Sequence, residues 1–225
     1  MVEWLLFDLD NTLFACSSSQ AEIEAERTSL SYIAGELNKD IAQVFGEFLR
    51  ARDSIRSQER ADRHNRRVWF TTMLKDKEVA ERAYKLYIEE FCKHIEPYPD
   101  FLDVVGELSA KYKLGIATNG SSAFQRMKIK SLGFDGLFKQ LFIAEEMGML
   151  KSEEFYKNIE NTLDVDGKDV AMVGDSPEKD VLYAQESGML AILLLRGKYA
   201  KRESYVKNAI YSFYELNSLL DKASA

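Results

Sequence analysis

The chain has 225 residues, 46% of them hydrophobic and 30% charged, with a formal net charge of −7, long enough to bury one sizeable core and carry an insertion. That acidic balance argues against general binding to nucleic acid or to an anionic membrane, since both rest on phosphate neutralisation by excess Lys and Arg. Cys16 and Cys92 form no disulfide framework and no Cys/His cluster has zinc-ligand spacing; the apolar run before Asp8 is far short of the roughly 20 residues a membrane span requires, so the expectation is a cytoplasmic protein.

The first element is the apolar run Trp4-Leu5-Leu6-Phe7, which reads as a buried strand and delivers Asp8, Asp10 and Thr12 just past its end. In open α/β sheets, ligands bind at the C-terminal ends of the strands. Residues 16–94 have another texture, with no proline and two glycines. Apolar positions recur there at helical spacing, Leu30, Ile33, Ala34 and Leu37, then Val44, Phe45, Phe48 and Leu49, and predict a helical bundle inserted after the first strand.

From residue 95 onward, strand and helix signals alternate. Tyr98-Pro99-Asp100 opens a helix to about Tyr112, Lys113-Leu114-Gly115-Ile116-Ala117 reads as a strand ending in Thr118-Asn119-Gly120, and Ser121 is placed to cap a helix to about Leu132. Leu141-Phe142-Ile143-Ala144 is the next apolar run, with Lys151 beyond it; Ser152 then precedes Glu153 and Glu154 as a helix start. Val170-Ala171-Met172-Val173 leads into Gly174-Asp175, and Ser176-Pro177-Glu178 has the N-cap, N1 proline and acidic N2 of a helix that Gly188 closes before the run Leu190 to Leu195. The alternation predicts an α/β fold with a doubly wound, mainly parallel, Rossmann-like sheet.

The ordered set Asp8-x-Asp10-x-Thr12, then Thr118, then Lys151, then Gly174-Asp175 followed by Asp180 resembles the haloacid dehalogenase-like (HAD) hydrolase superfamily. The likeness covers about residues 1–15 and 95–220. It implies a catalytic core of residues 1–15 and 95–225 and a helical C1-type cap of residues 16–94 that closes over the crevice. It also implies a Mg²⁺-dependent phosphatase of the C1-capped branch that hydrolyses small phosphomonoesters, such as a nucleotide or a sugar phosphate, through an aspartyl-phosphate.

In that reading Asp8 is the nucleophile, and Asp10 protonates the leaving oxygen and then takes a proton from water. Thr118 with the Asn119 and Gly120 amides grips phosphate oxygens at a helix N-terminus, and Lys151 pairs with Asp8 and the phosphate. By resemblance Mg²⁺ is held by the Asp8 carboxylate, the Asp10 main-chain carbonyl and Asp175, with Asp180 keeping ligands or metal-bound water in place. Ser152 stands where many relatives have proline after the lysine. Dehalogenases of the superfamily lack the second aspartate, so Asp10 favours phosphate chemistry. A phosphosugar mutase, a 2-haloacid dehalogenase and a non-catalytic binding protein on the same fold stay open as alternatives.

One stretch stands apart in composition. Between Leu49 and Trp69 lie Arg50, Arg52, Arg56, Arg60, Arg63, Arg66 and Arg67 with His64. If the stretch is one helix, Arg52, Arg56, Arg60, Arg63 and Arg67 share a face that can meet a second anionic group on the substrate, or else form a solvated surface trimmed by pairs such as Glu59–Arg63 and Asp62–Arg66. The segment Asn65-Arg66-Arg67-Val68-Trp69 faintly resembles the cap segment of house-cleaning nucleotidases in the superfamily.

Overall fold

The computed structural model describes residues 2–17, 19–58, 60, 62–196 and 206–224. Among them, six parallel strands form one sheet in the order β3-β2-β1-β4-β5-β6. They are β1 (Trp4–Phe7), β2 (Lys113–Thr118), β3 (Gln140–Ile143), β4 (Val170–Gly174), β5 (Leu190–Leu194) and β6 (Ala209–Ile210). The sheet runs outward from β1 to β3, returns to β4 and continues to β6, which is the doubly wound arrangement. Strands covered on both faces must be apolar throughout. Along β1, accordingly, Leu5 and Phe7 enter one apolar cluster while Trp4 and Leu6 enter the other.

The second cluster lies under α8 (Glu153–Leu163) and includes Phe155, Tyr156 and Ile159. The first continues without a break into the first four of the five helices between β1 and β2: α1 (Gln20–Leu37), α2 (Ile41–Arg56), α3 (Arg66–Met73) and α4 (Lys77–Lys93). Each starts on a polar cap: Ser19, Asp40, Asn65 and Asp76 accept from backbone amides of the first turn. Such a cap contributes about 1 kcal/mol. Phe48, Trp69, Phe70, Tyr87 and Phe91 fill the bundle with edge-on and stacked rings. After α5 (Pro99–Lys111) and β2 comes α6 (Ser122–Ser131), whose Phe124 ring lies 5.1 Å from Phe91 and 6.1 Å from Tyr87. A polar tie accompanies it: Asn65 Nδ2 donates to Glu145 Oε1 at 2.9 Å, in α7 (Ala144–Met147).

Three local readings change. The arginine-rich stretch is not one helix, because α2 stops at Arg56 and α3 starts only at Arg66. Two bonds fix the intervening turn: Trp69 Nε1 donates to the Arg63 carbonyl and Arg66 Nη1 to the His64 carbonyl, both at 2.9 Å. Arg52, Arg56, Arg60, Arg63 and Arg67 therefore share no helix face. Asp62 pairs with Arg60 rather than Arg66, which lies 3.7 Å from Glu22, and Glu59 lies outside the described residues. Ser121 sits at the N-cap of α6 with no capping bond of its own; Glu145 Oε2 accepts from Ser122 N at 2.8 Å instead. Finally, Ser176 caps a π-helical turn over Pro177–Leu182, and only then comes α9 (Tyr183–Glu186). No helix among the described residues is long and apolar enough to cross a membrane.

Candidate active site

The register of the sheet brings the polar punctuations together. Phe7 of β1 lies beside Ile116 of β2 and Val173 of β4, so Asp8, Thr118 and Asp175 leave neighbouring strands at one edge. That edge is the crevice where the strand order reverses. Asp8, Thr118, Lys151, Asp175 and Asp180 are all buried there. Lys151, from the loop before α8, donates from Nζ to Asp8 Oδ1 and Asp180 Oδ1, both at 2.6 Å. Thr12 Oγ1 donates to Asp8 Oδ2 at 3.0 Å, and Ser176 N to Asp180 Oδ2 at 2.8 Å.

Backbone geometry makes these approaches possible. A Cβ on Gly174 would sit 2.4 Å from the Asp180 carboxylate, so only glycine lets that side chain fold back over the end of β4. Gly120 has φ +123°, in the region that favours glycine, and turns the chain between β2 and α6. Asn119 Oδ1 accepts from Lys151 N at 3.0 Å and so fixes the lysine's loop against the end of β2. Asn11 takes a left-handed φ of 67° and its Oδ1 accepts from Cys16 N and Ser17 N, which shapes the turn leading to α1.

Charge is concentrated here. Burial pushes the Asp8 carboxyl up to about 7, with Asp180 and Asp10 adding to the rise and Lys151 opposing it. Burial works against the Lys151 charge, but Asp180 and Asp8 more than reverse this and raise it above the ordinary lysine value. Oxygens of Asp8, Asp175 and Asp180 lie within 4.8 Å of one another, all three residues buried. Three carboxylates facing one ammonium leave an excess of negative charge, and an all-oxygen donor set suits a hard divalent cation. The residues fit such an ion.

Two further residues complete the site. Lys128, on the buried face of α6, donates from Nζ to Asp10 Oδ1 at 2.7 Å and Oδ2 at 3.0 Å, and to Gln125 Oε1 at 2.8 Å. Its ammonium lies 4.1 Å from the Phe124 ring centroid, 5.3 Å from that of Phe91 and 5.8 Å from that of Phe14. Gln125 Nε2 donates to Thr118 Oγ1 at 2.7 Å and Asp10 Oδ2 at 3.2 Å. Enclosure alone would raise the Asp10 carboxyl, but Lys128, with Arg66 and Gln125, holds it below the usual carboxylate value. The sequence carries a faint signal for this pair. Phe124 and Lys128 are four residues apart, so the lysine lies on an apolar helical stripe where a solvated cation does not belong.

Between this edge and the helical bundle lies a cavity of about 750 Å³. Its bundle wall includes Arg52, Arg56, Arg63, His64 and Arg66. Burial, followed by the charges of Lys179, Arg66, Arg63 and Arg56, pushes the His64 imidazole down to about 3, so the ring is neutral near neutral pH.

A parallel, doubly wound sheet with a lysine-bridged carboxylate cluster at its switch point, facing a cavity closed by a helical bundle, defines an α/β enzyme with a buried acidic site. Residues 2–188 match the model of the haloacid dehalogenase-like hydrolases, and the chain belongs to that family. It is 30% identical to a glyceraldehyde 3-phosphate phosphatase of Methanocaldococcus jannaschii, over 97% of this chain and 94% of that protein. Among solved structures, a 2-haloacid dehalogenase from Pseudomonas syringae superposes with a TM-score of 0.80 at 20% identity, covering 99% of both chains. A HAD phosphatase from Thermococcus onnurineus superposes with a TM-score of 0.79 at 24% identity, covering 97% of this chain and 98% of that one.

Proposed function

We propose that this HAD-like hydrolase is a Mg²⁺-dependent phosphatase of small phosphomonoesters that works through an aspartyl-phosphate on Asp8. The observation that carries the reading is Lys151 clamped between Asp8 and Asp180 beside a second aspartate, Asp10, that is held by its own cation. We take residues 16–94 as a cap and residues 1–15 and 95–225 as the core.

A phosphoryl group surrounded by negative oxygens admits an anionic nucleophile only where cations and donors offset the repulsion. Mg²⁺ at Asp8, Asp175 and the Asp10 carbonyl would, when bound, act as a Lewis acid on the phosphate and offset the excess carboxylate charge. Lys151 favours the ionised form of Asp8. Thr118 and the Asn119 and Gly120 amides bind phosphate oxygens, with Gln125 orienting the Thr118 hydroxyl. Asp8 Oδ attacks phosphorus and the ester oxygen leaves with a proton from Asp10, whose proton affinity the arriving phosphate dianion raises. Asp10, again a carboxylate beside Lys128, then takes a proton from the water that cleaves the acyl phosphate. An alkyl halide needs no such acid, which sets Asp10 against a dehalogenase. The unpaired thiols of Cys16 and Cys92 support a reducing, cytoplasmic compartment.

A screen of phosphomonoesters for phosphate release, with Mg²⁺ and with chelator, tests the reading. Activity should require Mg²⁺, and Asp8→Asn should abolish it while leaving the thermal melt in place. Undiminished turnover in chelator, or Asp8→Asn activity within tenfold of the parent, would sink it.

A further inference from the structure

The cavity has a second charged wall that the phosphoryl chemistry does not use. Seven arginines fall between residues 50 and 67; Arg50 is exposed, and the structure sorts the other six. Arg60 and Arg67 point to the outside and are matched by the carboxylates of Asp62 and Glu81. Arg56 and Arg63 line the cavity, and among the described residues neither has a carboxylate within ion-pair distance. The Arg63 guanidinium donates instead to His64 Nε2 at 3.3 Å, a neutral acceptor. Arg52 reaches Asp53 at 3.0 Å, and Arg66, stacked 4.6 Å over Trp69, has Glu22 at 3.7 Å. Partial burial and the neighbouring charges of Arg52 and Arg66 work against the Arg56 cation, and the more weakly felt charges of Glu22 and Asp53 do not offset them.

Surface arginines are ordinarily the ones left to solvent, and those collected in a cavity are ordinarily neutralised. Arg56 and Arg63 depart from that order. Four guanidinium groups share the bundle side of the cavity with one carboxylate, Glu22, so positive charge is in excess there and an anion bound between them relieves it. Arginine also suits this task, since its planar fork takes carboxylate or phosphate oxygens two at a time.

We propose that Arg56 and Arg63, backed by Arg52 and Arg66, form a second anion subsite, and that the substrate carries a carboxylate or a second phosphate at the end opposite the scissile ester. This rests on the phosphatase reading for the ester itself. Thr118, Lys151 and the amides of Asn119 and Gly120 hold one end of such a molecule through its phosphate, and the arginine wall holds the other. A phosphomonoester whose remaining part is uncharged leaves that wall unmatched and binds more weakly.

The test is binding, so that it does not depend on turnover. Methylphosphonate, phosphonoacetate, 3-phosphonopropionate and 4-phosphonobutyrate are titrated by calorimetry into the Asp8→Asn protein with Mg²⁺. At least one of the three carboxylates should bind tenfold or more tightly than methylphosphonate, the scale of one charge-assisted hydrogen bond. Arg56→Gln or Arg63→Gln, added to Asp8→Asn, should remove that advantage and leave methylphosphonate binding unchanged, and Arg27→Gln, on the outer face of α1, should alter neither. In steady state the same two variants, with Asp8 intact, should raise KM about tenfold for 3-phosphoglycerate at unchanged kcat, and leave glycerol 3-phosphate unaffected. Carboxylates that bind no better than methylphosphonate, or that lose nothing in both arginine variants, overturn the subsite. Absence of phosphate release from every ester, with the carboxylate advantage intact, overturns the phosphatase reading and leaves the subsite standing.

Discussion

Lys128 brings one ammonium group into contact with a carboxylate, a glutamine and three aromatic rings, and it is 1% exposed. A lysine is buried this deeply only when paired, and its partner is the residue assigned as the leaving-group acid. Replacing it with methionine keeps the volume and removes the charge. The affinity of the Asp10 carboxyl for a proton should then rise, because the adjacent cation that holds it down is gone. The pH profile of the single-turnover rate of alcohol release in Lys128→Met should move to higher pH with an alkyl phosphate and stay in place with p-nitrophenyl phosphate, whose leaving group needs no proton. A profile that is unmoved with both substrates would separate the lysine from the acid.

His64 gives a second residue-scale outcome. Its imidazole is held near 3 against an ordinary value of 6.5, so between these values the unfolded chain binds more protons than the folded one. Its contribution to stability is therefore complete above about pH 6.5 and is lost as the pH falls toward 3. In His64→Gln the urea midpoint should fall less between pH 7 and about 4.5 than it does in the parent.

At the scale of elements, β1 to β5 and the starts of α5, α6 and α8 were legible because each depends on neighbours in sequence, whereas the two-residue β6 and the individual starts of the four bundle helices were not. An unbroken apolar run such as Val170 to Val173 has to lie in a doubly covered sheet, and Ser152 caps α8 through a bond to Phe155 N three residues on. What could not be read depends on distant partners. The break between α2 and α3 is set by Trp69 and Asn65 docking against the chain around them, which helical periodicity does not register. Lys128 escaped because its carboxylate lies 118 positions earlier. The cap of α6 comes from Glu145, not from the adjacent serine. The π-helical turn after β4 follows from the need to return Asp180 across Gly174, and such turns favour functional sites. Gly174→Ala should displace Asp180 and, through Lys151, Asp8. We expect a loss of about a hundredfold in kcat, typical of a misplaced catalytic group, and a higher Mg²⁺ requirement in a metal titration.

For the whole molecule, Phe124 and Phe14 both pack on Phe91, so the sheet layer and the bundle share one apolar interior. Phe124→Ala should cost about 3–5 kcal/mol in urea denaturation, the range for an aromatic ring removed from a core. The rings around Lys128 belong to different parts of the chain: Phe14 to the turn after β1, Phe91 to α4 and Phe124 to α6. Any swing of α4 away from α6 takes Phe91 with it and lets water reach the ammonium. A charge pair that exchanges protein surroundings for bulk water keeps only about a quarter of its attraction. Asp10 would then hold a proton more readily, and by linkage a proton on Asp10 would make the swing easier. Opening of the bundle and proton uptake by the acid would thus form one interlocked equilibrium, with Lys128 as the latch between them.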